Sequence, residues 1–72
     1  VGTERRLVLK RILVTFEGFG GEVRAYALGP VDRRDAVREE AQYRLDAHRA
    51  ECALIGDPIS EESVTRRELV LA

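Results

Sequence analysis

Apolar and polar positions alternate along two runs of this chain, from Leu7 to Phe19 and from Glu22 to Leu28, with Gly20-Gly21 between them. Period two in branched and aromatic residues, broken by two glycines that supply positive φ, predicts a β-hairpin. Centring the turn on Gly20-Gly21 sets Ile12 opposite Gly29, Val14 opposite Ala27 and Phe16 opposite Ala25. Nearer the turn it sets Glu17 opposite Arg24 and Phe19 opposite Glu22. One face then collects Ile12, Val14, Phe16, Val23, Ala25 and Ala27 and is the predicted core face. The other mixes Thr15, Glu17, Glu22 and Arg24 with Leu13, Tyr26 and Leu28. Lys10-Arg11 interrupts the alternation, so a bulge is expected there that turns Leu7 and Leu9 inward.

Gly29-Pro30 ends the second strand, Asp32 is the expected N-cap of a helix, and Gly56-Asp57-Pro58 is its stop. The run from about Asp32 to Ile55 is roughly 36 Å long at 1.5 Å per residue. Projected at about 100° per residue, it carries two apolar stripes. Ala36, Tyr43, Ala47, Ala50 and Leu54 share one; Val37, Ala41, Leu45, His48, Cys52 and Ile55 share the other, in steps that approximate a coiled-coil seam. A two-stranded hairpin covers only one stripe. The seam-like stripe is assigned to a partner and the first to the hairpin; the reverse assignment is the alternative.

Beyond Pro58, Val64-Thr65 and Leu69-Val70-Leu71 read as a strand beside the first one, giving a ββαβ order in a single α+β domain over residues 1–72. Ser60-Glu61-Glu62 followed by Arg66-Arg67 also suits a helix start with Ser60 as its cap, so ββαα is the alternative.

The chain has 72 residues, a size at which a single core is marginal and assembly is a natural source of further burial. Twelve basic and thirteen acidic residues nearly cancel, so no one-signed field attracts nucleic acid at large. All the basic residues but Lys10 are Arg, a bias that goes with a GC-rich genome, actinobacterial or phage. One cysteine and no apolar leader point to a cytoplasmic, reducing setting, and no apolar run approaches the roughly 20 residues of a membrane span.

His48 and Cys52 lie one helical turn apart, a spacing able to present two ligands to zinc. With no other His or Cys in the chain, the pair reads as seam residues and no metal or cofactor is expected. Gly18-Phe19-Gly20-Gly21 leads into a strand rather than a helix, so it is a turn and not a phosphate cradle. Phe19 at its tip and Tyr26 on the mixed face are candidate anchors for a partner. Arg33, Arg34 and Arg38 at the helix start, with Arg5, Arg6, Lys10 and Arg11 near the first strand, are candidate nucleic-acid contacts, though Asp32, Asp35, Glu39 and Glu40 intersperse them. The carboxylates alternate with arginines as on solvated helical faces, and no nucleophile–base set assembles. The expected function is a non-catalytic assembly or protein-interaction module, a homodimer or higher oligomer. The alternative is a small nucleic-acid-binding or regulatory module.

Overall fold

The computed structural model describes residues 10–71 and has the ββαβ order. Strand β1 (Arg11–Glu17) is central in a three-stranded antiparallel sheet, flanked by β2 (Val23–Pro30) and β3 (Thr65–Leu71). A 21-residue helix, α1 (Arg34–Leu54), connects β2 to β3 and lies on one face of the sheet. The strand reading of the C-terminal segment holds and the helical alternative does not. β3 pairs with β1 itself, Val70 opposite Ile12 and Glu68 opposite Val14. The expected Lys10-Arg11 bulge, with Leu7 and Leu9 turned inward, falls largely outside the described residues.

The hairpin register is the one dictated by the glycines over most of its length: Ile12 faces Gly29, Val14 faces Ala27 and Phe16 faces Ala25. Gly20 and Gly21 both have positive φ, 77° and 80°, a backbone state that costs glycine nothing. The pairing slips between Phe16 and Glu17, so that Glu17 faces Val23 and Arg24 becomes the extra residue of a bulge. Three expectations change near the turn. Gly18 rather than Phe19 meets Glu22, and Phe19–Gly21 winds as a 3-10 turn in place of a two-residue turn centred on Gly20-Gly21. Val23 turns to the open face, where it is 53% exposed, and leaves the core. Glu17 pairs with Arg67 of β3 at 2.9 Å instead of with Arg24.

The core consists of Ile12, Val14 and Phe16 from β1, Ala25 and Ala27 from β2, and Val37, Ala41 and Leu45 from α1, with Val31 and Val64 at its margins. Small residues on β2 let the helix come close. A Cβ on Gly29 would stand 2.6 Å from Cγ2 of Val37, well inside van der Waals contact. The helix packs chiefly on β2 and β1. β3 is tied to it by Arg38, whose guanidinium donates to both carboxylate oxygens of Glu68 at 2.6 and 2.9 Å.

The helix starts later than its capping signal. A short 3-10 turn over Val31–Arg33 precedes it, and neither Asp32 nor Arg33 makes a side-chain cap. The cap chemistry appears instead after the helix, where Asp57 accepts a bond from the Ile59 amide at 3.0 Å and opens the 3-10 turn Pro58–Glu61. Ser60 lies inside that turn and does not cap it.

Gly29→Ala is expected to destabilise the domain by about 1–3 kcal/mol, the usual range for an overpacked contact. Combined with Val37→Ala, which removes the methyl it strikes, the loss should be smaller than the sum of the two single changes. Urea unfolding midpoints of the four proteins measure this coupling, and additive losses would contradict the contact.

Candidate self-association surface

The helix has used the seam-like stripe for its own domain. Val37, Ala41, Leu45 and Cys52 are all buried within the chain, and His48 is half-buried with Nε2 3.7 Å from the Cys52 sulfur. Ile55, just past the helix, is exposed. The first four therefore belong to the core side of α1, which corrects their assignment to a partner-facing stripe and leaves the reverse assignment. The deciding factor is volume. The β2 floor of Ala25, Ala27 and Gly29 accepts Val37, Ala41 and Leu45 closely, whereas Tyr43 is too large for it and carries a hydroxyl that would need a buried partner.

The stripe left outside is Ala36, Tyr43, Ala47, Ala50 and Leu54. Tyr43 is 73% exposed and Leu54 86%, and the alanines between them are exposed as well. Ala47 and Ala50 leave a shallow depression of about 570 Å³ between those two large side chains, rimmed by Arg44 and Glu51. Arg44 is held in place by its own domain, donating to the Tyr26 carbonyl at 2.9 Å and to Glu40 at 2.6 Å.

Among the described residues the other face of the sheet has no element packed on it. Leu13, Leu28 and Leu69 form a row across all three strands, and Tyr26 and Thr15 form the next. Tyr26 and Leu69 are more than half exposed. Phe19 stands out at the hairpin tip, 87% exposed.

Behind Phe19 lies a polar latch that the sequence did not signal. Glu62, on the loop before β3, accepts from the Phe19 amide at 2.5 Å and from Arg24 Nε at 2.9 Å. Arg49 of the helix donates to the Glu62 carbonyl. The bulge turns Arg24 into this contact, so hairpin tip, helix and final loop meet at one residue, Glu62, the first at its carboxylate and the helix at its carbonyl. The Arg24 guanidinium and then the Phe19 amide hold the Glu62 carboxyl below its ordinary value of 4.5. Arg38 does the same for Glu68, and both arginines are correspondingly raised. Of the candidate nucleic-acid contacts, Arg38 is engaged with Glu68 and Asp35, while Arg33 and Arg34 remain exposed. Arg5 and Arg6 lie outside the described residues. Arg66 and Arg67 each face a carboxylate, Glu68 at 3.4 Å and Glu17 at 2.9 Å.

Among the described residues no group of three or more His, Cys, Asp and Glu is placed to hold a metal ion, and no helix is long and apolar enough to cross a membrane. Comparison with family models, with curated proteins and with solved structures returns no match.

Glu62 and Glu68 both have folded-state values below their unfolded ones. Their contribution to stability is therefore fully present above the ordinary glutamate range and is lost as pH falls through the lowered folded values. Denaturant unfolding of the wild type should show stability declining on the acid side of 4.5. Glu62→Gln and Glu68→Gln should each lower stability at neutral pH and flatten that acid limb. An unchanged acid limb in both variants would mean that other carboxylates control it.

Proposed function

We propose that the protein is a non-catalytic assembly module that associates with copies of itself through the outward face of α1. The observation that carries this reading is the exposure of Tyr43 and Leu54 on the same stripe as three exposed alanines, on a helix whose opposite stripe is already satisfied. Large exposed apolar side chains aligned along one helical face are the usual mark of a protein–protein contact. A domain of 72 residues gains proportionately more from such burial than a larger one does. Among the described residues Arg24, Arg38, Arg44, Arg66 and Arg67 pair with carboxylates, which lowers the positive charge free to meet a nucleic acid.

Sedimentation or light scattering across a dilution series should give a mass above that of one chain, falling with dilution. Ala47→Glu, at the middle of the exposed stripe, should weaken association tenfold or more, with a change of no more than about 0.5 kcal/mol in the stability of the single chain, as for a surface substitution. Leu45→Glu, on the buried stripe, should unfold the chain instead. A wild type that stays monomeric over its whole soluble range would sink the proposal.

A further inference from the structure

We infer that the partner on this face is a second copy of the chain with its helix antiparallel, in a register fixed by Arg44 of each chain meeting Glu51 of the other. The inference rests on the self-association reading above and adds orientation and register to it.

The exposed stripe, extended by Glu40, runs Ala36, Glu40, Tyr43, Ala47, Ala50, Leu54 in steps of four, three, four, three and four, a heptad seam. On one flank lie Arg44 and Glu51, and on the other Glu39, Asp46 and Ala53. In a two-fold antiparallel pair each flank meets its own counterpart, whereas in a parallel pair the two flanks meet each other. Charges on the flanks therefore discriminate among the arrangements.

The parallel pair stacks Glu40 on Glu40 inside the seam and sets Asp46 against Glu51 at both edges, although Glu39 would meet Arg44. The antiparallel register that overlaps the whole helix puts Ala36 over Leu54, Arg44 beside Arg44 and Asp46 beside Asp46. The antiparallel register with its dyad between His48 and Arg49 has none of these conflicts. Tyr43 covers Leu54 of the second copy, Ala47 covers Ala50, and Arg44 meets Glu51 twice. Glu40 then falls beyond the other helix's end and stays in water. The antiparallel arrangement also opposes the helix dipoles favourably. Arg44, pre-set by the Tyr26 carbonyl and Glu40, loses little freedom on pairing. The depression over Ala47 and Ala50, with Tyr43 and Leu54 at its ends, allows the two backbones to approach.

Arg44→Glu and Glu51→Arg test the register by measured dissociation constants, with circular dichroism confirming the fold of each variant. Each single change turns both edge pairs repulsive, and each should weaken self-association roughly tenfold. An equimolar mixture of the two variants restores both pairs, and so should form heterodimers close to wild-type strength; the double variant should do the same on its own. A parallel pair predicts the opposite sign for Glu51→Arg, which would then meet Asp46 and tighten the dimer. That result would overturn the inference while leaving self-association standing.

Cross-linking gives an independent reading of orientation. Tyr43→Cys and Leu54→Cys should form a disulfide when the two variants are mixed and not within either alone, since a rise of roughly 16 Å along the helix separates the two positions. Tyr43→Cys linking to itself would overturn the antiparallel arrangement. A monomeric wild type would overturn both the reading and the inference.

Discussion

The close seat of α1 on β2 is the constraint from which the rest of the structure follows. Ala25, Ala27 and Gly29 form a floor without projecting side chains, and Val37, Ala41 and Leu45 settle into it until Val37 leaves no room for a Cβ on Gly29. A helix lowered that far covers the two strands beneath it and not the third. Strands sit about 4.8 Å apart, so β3 lies toward the edge of the helix's footprint. What binds β3 on that side is polar: the bidentate Arg38–Glu68 pair, and Glu62 of the preceding loop gripping Arg24 and the hairpin tip. Apolar packing thus builds the hairpin–helix unit; the antiparallel ladder with β1 holds the last strand to it, and the ion pairs link that strand and its loop to the helix and the hairpin tip.

The parts of this arrangement legible in the sequence are those set by short-range chemistry. Two glycines marked the place of the turn, and the expected register of Ile12, Val14 and Phe16 against Gly29, Ala27 and Ala25 holds because the bulge at Arg24 makes up for a loop one residue longer than a two-residue turn. Gly56 and Pro58 marked the end of the helix within a residue. The helix start was misread, because Asp32 is a good cap by type while Val31–Arg33 winds as a 3-10 turn first. The bulge at Arg24 was not legible. Its side chain is drawn toward Glu62, 38 positions away, and no local pattern announces a partner that distant.

The two stripes of the helix were visible but their roles were exchanged. Both have near-heptad spacing, so periodicity alone could not rank them. The information was present in another form, as the match between the small residues of the hairpin's core face and the size of what must lie on it. Tyr43 and Leu54 together exceed what an alanine and glycine floor accepts, and a tyrosine hydroxyl placed there would lack water without gaining a partner. Complementarity of volume across elements decided what the pattern within one element could not.

The alternative to the helix as the surface of the proposed assembly is the outer edge of β3, which no other described strand pairs. Two copies related by a dyad normal to the sheet would pair β3 with itself antiparallel, and directly opposed residues must then lie on the same face. Only registers centred on a residue satisfy that rule. The register with the fullest overlap of β3 centres on Glu68, which would face its own copy across the dyad, like charge against like. Charged residues at the middle of an exposed edge are a known safeguard against strand addition. The helix carries no such obstacle on its outward face, where the central positions are Ala47 and Ala50 and one flank pairs Arg44 with Glu51 of opposite sign. A carboxylate at the middle of β3 thus disfavours pairing of that edge with itself, and the proposed assembly is left to the helix.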